Sequence, residues 1–102
     1  MNNGIPNERL YLTPSQPEGY MIGKMGFITG VINLTAAVSG SMGFITIGGP
    51  NFSVKGGSYG YIISVASDHT MYPIQAMGNE IVAVVNIPKG TYGICINFIV
   101  DT

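Results

Sequence analysis

Residues 91–100 have the sequence TYGICINFIV, in which apolar and mixed positions alternate. Successive side chains of an extended chain point to opposite faces. One face would therefore carry only apolar side chains: Tyr92, Ile94, Ile96, Phe98 and Val100. The pattern predicts a β-strand that packs one face on a core. We also predict that Cys95, the only cysteine, is a small buried strand residue.

The rest of the chain repeats this style of segment. Short runs of Ile, Val, Tyr and Phe are separated by 15 glycines and by Pro, Asn and Asp, which supply the backbone angles of tight turns. Regular short strands of this kind predict an all-β fold, an antiparallel β-sandwich of about eight short strands. The predicted strands are 10–13, 20–28, 31–38, 43–47, 52–54, 59–67, 70–75, 80–87 and 91–100.

Residues 80–87 are apolar on both faces of a predicted strand. Ile81, Ala83 and Val85 would share one face, and Val82 and Val84 the other. A strand buried on both sides in so small a domain needs a neighbour outside its own chain. Val82 and Val84 are therefore our candidates for a subunit interface.

The composition points to association and excludes several partners. The chain of 102 residues fits one domain, and it is 46% hydrophobic but only 9% charged, against about 25% charged in ordinary soluble domains. Uncovered apolar surface usually meets another chain. With four Lys and Arg residues and a net charge of −1, we expect no nucleic-acid partner. We expect no membrane insertion either, because no segment approaches ~20 apolar residues.

The sequence offers little for catalysis. His69 is the only histidine, and Asp68 beside it would point to the opposite face of an extended chain, so the two would not form a catalytic dyad. The carboxylates are widely separated, and one cysteine and one histidine are too few ligands for a zinc site. We therefore predict a protein that is not an enzyme and has no metal and no cofactor.

Two segments of the sequence are echoed elsewhere in the chain. The pentapeptide 25–29, MGFIT, recurs as 42–46, and 58–63, SYGYII, is echoed by 91–96, TYGICI. We interpret both echoes as similar strand entrances within one sheet structure. Asn33 and Asn51 each begin a possible N-glycosylation acceptor.

Residues 7–17, NERLYLTPSQP, resemble the entry to adenovirus fibre heads, where a polar step leads into a Leu-x-Leu strand and a Thr-Pro segment. As in those heads, the last predicted strand stops two residues before the end of the sequence. The turn 87–92, IPKGTY, is similar to turns near the C-termini of phage receptor-binding heads. The chain differs from the mammalian fibre pattern by lacking a Thr-Leu-Trp-Thr hinge and any tryptophan.

The resemblance implies the C-terminal head of a trimeric viral fibre, located at the fibre tip of the virion, which binds a host-cell surface receptor, protein or glycan. Residues 1–7 would be a flexible lead or the end of a preceding shaft, and residues 8–102 the head domain. Three copies would meet around an axis, with Val82 and Val84 as trimer-interface candidates. The receptor-binding candidates are chosen by turn position: Asn51, Lys55, His69 and Tyr72.

Two alternatives stay open on the sequence alone. The chain could be a structural β-sandwich subunit of a capsid, pilus or baseplate, whose apolar edges serve assembly only. It could also be a lectin-like carbohydrate-binding module, although such modules usually stack sugars on exposed aromatic residues and this chain has no tryptophan.

Overall fold

The computed structural model describes residues 8–10, 18–47, 53–66 and 68–100. Within these residues there are eight strands and no helix. The strands are β1 (Glu8–Leu10), β2 (Glu18–Ile22), β3 (Met25–Leu34), β4 (Gly43–Thr46), β5 (Val54–Ser64), β6 (Met71–Gly78), β7 (Glu80–Ala83) and β8 (Gly90–Ile99). The all-β prediction is confirmed.

The eight strands form one sheet in the order β1-β2-β3-β8-β5-β6-β7-β4. Every neighbouring pair is antiparallel, and the sheet curls into a half-barrel. The two facing sheets of a predicted sandwich are not confirmed. The physical reason is that β8 bonds to β3 on one side and to β5 on the other, so the ladder continues where a sandwich would have a gap.

Strand β8 is the centre of the core. Its inward side chains, Tyr92, Ile94, Ile96, Phe98 and Val100, are each at most 6% exposed. Buried isoleucines of the neighbouring strands pack against them on the inner face, among them Ile28, Ile32 and Ile62. The alternation predicted for residues 91–100 is therefore confirmed.

The prediction that Cys95 is buried is wrong. Its side chain is exposed, because it has the opposite parity to the core residues of β8 and lies on the outer face of the sheet. There it is paired with Thr29 of β3 and Tyr61 of β5.

Two tight hairpins each place glycine first in a two-residue turn. Ile22 pairs with Met25 around Gly23 and Lys24, and Gly23 has φ +61°. The same geometry recurs around Gly78 and Asn79, where Gly78 also has φ +61°. Positive φ at the first position is the glycine-requiring form of hairpin turn. The prediction of one continuous strand over 20–28 is wrong because this first turn divides it into β2 and β3.

The prediction of a long strand over 80–87 with two buried faces is also wrong. Strand β7 ends at Ala83, and the chain then bends at Val84 and Val85, which are 42% and 41% exposed. The amide of Val84 donates to the carbonyl of Pro73 of β6, one residue beyond the last pair of the β6 to β7 ladder. Of the two interface candidates, Val82 is half-buried on β7 and Val84 is exposed in the bend.

The β3 to β8 pair depends on a glycine. Gly26 pairs directly with Phe98, whose ring is 2% exposed. A side-chain carbon at Gly26 would overlap this ring. The ring lies in the core and has no free space into which to move, so the site requires glycine.

We predict that Gly26→Ala lowers the free energy of unfolding by about 1–3 kcal/mol, as overpacking of a core typically does. The matched control is Gly56→Ala, because a side-chain carbon at Gly56 meets nothing within 4 Å. Urea unfolding followed by circular dichroism measures both variants. Equal stabilities of the two variants would contradict the packing described for Phe98.

Candidate functional site

The structure does not bring the receptor-binding candidates together. Lys55 lies at the start of β5, and His69 lies in the loop that follows the end of β5. About nine strand residues separate these ends, which corresponds to roughly 30 Å. Tyr72 is on β6 near the His69 end, and Asn51 lies outside the described residues.

His69 has a local structural role in its loop. The residue has φ +49°, its amide donates to the carbonyl of Ala66 at 3.0 Å, and its ring Nδ1 is 3.2 Å from the carbonyl oxygen of Ser64. Asp68 Oδ2 instead accepts a 2.7 Å bond from Thr70 Oγ1, and this bond lowers the pKa of Asp68 below its usual value. The carboxylate therefore orients Thr70, not the imidazole.

Tyr72 packs against the core. It is half-buried and meets Tyr92 edge to face, with ring centroids 5.8 Å apart and planes at 83°. The Tyr92 hydroxyl donates to the carbonyl of Pro88 at 2.5 Å. Burial raises the pKa of Tyr92 above its usual value, with smaller contributions from Tyr72 and Asp68. These contacts hold the 84–89 segment against the sheet.

Outward positions over most of the four central strands, β3, β8, β5 and β6, are uncharged, and the exposed Lys55 at the start of β5 lies beyond them. We define the outer face of these strands by the outward positions of residues 25–33, 59–63, 71–77 and 91–99. These positions are Met25, Phe27, Thr29, Val31, Asn33, Tyr59, Tyr61, Ile63, Met71, Pro73, Gln75, Met77, Thr91, Gly93, Cys95, Asn97 and Ile99. None of them is Asp, Glu, Lys, Arg or His.

Large apolar side chains of this outer face are open to solvent. Val31 is 58% exposed, Tyr59 62% and Met71 54%. Cross-strand pairs make the face continuous: Tyr61 lies between Cys95 of β8 and Pro73 of β6. Exposed apolar surface of this extent usually marks an interface.

A cleft of about 360 Å³ is lined by the end of β3, the loop that follows it and β4, and we call it the seam cleft. Its walls are the end of β3, the start of the loop that follows, the whole of β4 and the first residue of β7. The lining residues are Asn33, Leu34, Thr35, Ala36, Ala37, Val38, Gly43, Phe44, Ile45, Thr46 and Glu80. The volume falls within the range of small-ligand sites.

Glu80 is the only charged residue among the described residues that line the seam cleft. A side-chain carbon placed on Gly43 would be 2.7 Å from the Glu80 carboxylate, so the carboxylate lies over the bare backbone of Gly43. Glu80 pairs with Thr46 across the β7 to β4 ladder. No hydrogen bond or ion pair joins this carboxylate to another residue in the described part of the chain.

A second cleft of about 330 Å³ lies on the other side of the same loop. Its lining residues are Ala37, Val38, Ser39, Asn86, Ile87 and Pro88. Here Asn86 Oδ1 accepts a 2.8 Å bond from the amide of Gly40, and Val38 and Ile87 exchange two 2.8 Å backbone bonds. None of the described residues that line this cleft is charged, and its asparagine oxygen is used to hold the loop.

No family model, curated protein or solved structure matches this chain. Within residues 8–10, 18–47, 53–66 and 68–100, no group of three His, Cys, Asp or Glu residues could hold a metal ion. In the same part of the chain no helix has the length and apolarity needed to cross a bilayer. The resemblance to fibre heads therefore stays a prediction.

Glu80 is not among the site residues predicted from the sequence, and Asn33 is predicted only as a possible glycosylation acceptor. Both lie within or beside strands, whereas the candidates were chosen from turns. The only signal in the sequence was the repeated pentapeptide, since its second copy contains Gly43, the residue that leaves room for the Glu80 carboxylate.

We predict that ionisation of Tyr92 lowers the free energy of unfolding at alkaline pH. Its pKa is raised in the folded state, so the unfolded chain loses the proton first and stability falls as the pH rises above about 10. Tyr92→Phe should lower stability at neutral pH by about 1 kcal/mol through loss of the bond to Pro88, and should also show a smaller alkaline loss. Urea unfolding at neutral pH and above about pH 10 measures this.

Tyr59→Phe is the matched control, because Tyr59 is 62% exposed and no described residue bonds to its hydroxyl. This variant should have the same stability as the parent protein at neutral pH, and it should lose the same amount of stability at alkaline pH. An alkaline loss of the same size in Tyr92→Phe would contradict the assignment to Tyr92.

Proposed function

We propose that this chain is the C-terminal head of a trimeric viral fibre, a non-enzymatic module that attaches the virion to a host-cell surface receptor. The observation that carries the proposal is the uncharged outer face of β3, β8, β5 and β6. A face of this kind is suited to burial against another copy of the chain.

The size of the outer face supports association. Its exposed tyrosine, methionine, valine and isoleucine side chains, together with those of β2, offer on the order of 800–900 Å² of surface, against about 800 Å² per partner in a standard interface. Val82 extends this face onto β7, because it pairs with Gln75. The Val84 bend lies next to it in the chain.

The single sheet also favours a neighbour. Stable domains are usually built from two or more packed layers, and sheets pack face to face about 10 Å apart. In a trimer, the outer faces of three copies would meet around the axis, and each copy would cover part of the apolar surface of the other two.

Receptor binding would use surfaces outside the outer face. Lys55 and His69 remain exposed at opposite ends of β5, and Asn51 and Tyr72 stay candidates by position. Three weak sites on one rigid head raise avidity beyond that of a single contact when the receptors can be engaged together. Attachment by this route needs no cofactor.

The same outer face also suits a structural subunit of a capsid, pilus or baseplate. That alternative predicts assembly without ligand binding. Saturable binding of the labelled, purified oligomer to intact cells separates the two functions, because a purely structural subunit has no saturable site on a cell.

We expect light scattering during size-exclusion chromatography to give a solution mass near three times 10.8 kDa. Tyr59→Lys places a charge on the outer face and should shift the protein towards monomer, since burying an unpaired charge is costly. The matched control is Met42→Lys, an equally drastic change at a 53% exposed position in the loop before β4. A monomeric parent protein at micromolar concentration would exclude the trimeric head.

A further inference from the structure

The seam cleft combines hydrogen-bond donors and acceptors with an apolar wall. Asn33 Oδ1 accepts a 3.3 Å bond from Thr91 Oγ1, which leaves the two amide hydrogens of Asn33 to donate. Thr35 and Thr46 contribute hydroxyl groups that both donate and accept. The Glu80 carboxylate contributes two accepting oxygens.

The apolar wall lies beside these polar groups. Phe44 is half-buried and packs against the core, and Ala36 and Ala37 expose methyl groups to the cleft. A ligand in the seam cleft would therefore meet carbon on one side and hydrogen-bonding groups on the other.

The charge of the lining selects the class of ligand. Among the lining residues that the structure describes, Glu80 is the only charged one and none is Lys, Arg or His. An anionic ligand such as a sialylated or sulfated sugar would meet a carboxylate without a compensating cation. A lysine side chain would pair with Glu80 but would leave the donors of Asn33 without an acceptor.

A sugar hydroxyl fits both kinds of group because it donates and accepts. Adjacent ring hydroxyls can donate to the Glu80 carboxylate and accept from Asn33 or a threonine, and the C–H face of the ring can lie against Phe44. The volume of about 360 Å³ is near the lower limit for ligand sites, which suits one sugar unit at a time.

We propose that the seam cleft binds a neutral sugar unit of a cell-surface glycan, with Glu80 as the principal hydrogen-bond acceptor. This inference rests on the proposed receptor-binding function and names its ligand class and site. It places recognition beside β4 at the edge of the outer face, with which the seam cleft shares Asn33.

The test is a nuclear magnetic resonance titration of the full chain with methyl glycosides of glucose, galactose, mannose, N-acetylglucosamine, N-acetylgalactosamine, fucose and rhamnose. We expect at least one to give saturable shifts centred on Asn33, Phe44, Thr46 and Glu80. Sialic acid and a lysine-containing peptide are the anionic and cationic comparisons, and neither should bind in the cleft.

Two variants probe the Glu80 carboxylate. Glu80→Gln removes the charged acceptor and should weaken binding about tenfold, the loss expected for one charge-assisted hydrogen bond. Gly43→Ala keeps the charge but displaces the carboxylate, which can move because it is the end of a flexible side chain. It should weaken binding while leaving stability nearly unchanged.

The matched controls are Asp68→Asn and Gly56→Ala, which make the same chemical changes outside the cleft. Both should bind the sugar as the parent protein does. If Glu80→Gln and Asp68→Asn lose affinity equally, the effect is one of overall charge and the assignment to Glu80 is wrong.

The remaining outcomes separate this inference from the proposed function. The sugar site is excluded if no glycoside shifts the cleft resonances, if the shifts map to outer-face residues other than Asn33, or if only the lysine peptide binds. A trimer that binds cells saturably after enzymatic removal of their glycans would overturn the sugar site and leave the fibre-head function standing. A monomer that binds sugar in the cleft would overturn the fibre-head function and leave the sugar site standing.

Discussion

The burial of one face of β8 is the constraint on which the rest of the structure depends. Because β8 bonds to β3 and to β5, its five inward side chains hold the two parts of the sheet around one core. The same alternation forces every other residue of β8 outward. Cys95, Asn97 and Ile99 therefore lie on the outer face, where the residues paired with them on β3 and β5 are also uncharged. The requirement for a buried core face thus also determines which residues form the outer surface.

The sequence was sufficient to predict what depends on local alternation. The strand at residues 91–100 and its buried face follow from period-two patterning, and most strand limits follow from glycine and proline. The sequence was not sufficient to predict a strand break of only two residues, or the pairing of strands that lie far apart in the chain. The Gly23-Lys24 turn is only two residues long and has apolar residues on both sides, so a strand predicted from the apolar pattern runs through it. Whether β8 joins two halves into one sheet depends on pairs far apart in the chain, which alternation does not determine.

The candidate site was harder to predict because the candidates were chosen from turns, and turns that look alike in sequence can lie far apart in space. Lys55 and His69 both lie near the limits of predicted strands. In the structure β5 separates them, because Lys55 lies at its start and His69 after its end. The glycines after Lys55 seemed to separate two strands, whereas they lie at a register shift within β5. Glu80 begins a strand and looks like a solvated edge residue. The position of its carboxylate over Gly43 becomes visible only when β4 is placed beside β7.

The two copies of MGFIT show how one sequence can serve different purposes. In β3, Gly26 and Ile28 share the inner face, and the glycine admits the ring of Phe98. In β4 the register shifts by one residue between Gly43 and Ile45, so Gly43 pairs with the outward Val82 while Ile45 stays in the core. A bulge of this kind re-aims side chains and often lies beside a functional site. The glycine of the pentapeptide makes room for the Phe98 ring in β3 and for the Glu80 carboxylate in β4. In β4 this glycine lines the open seam cleft, whereas in β3 it contacts the core.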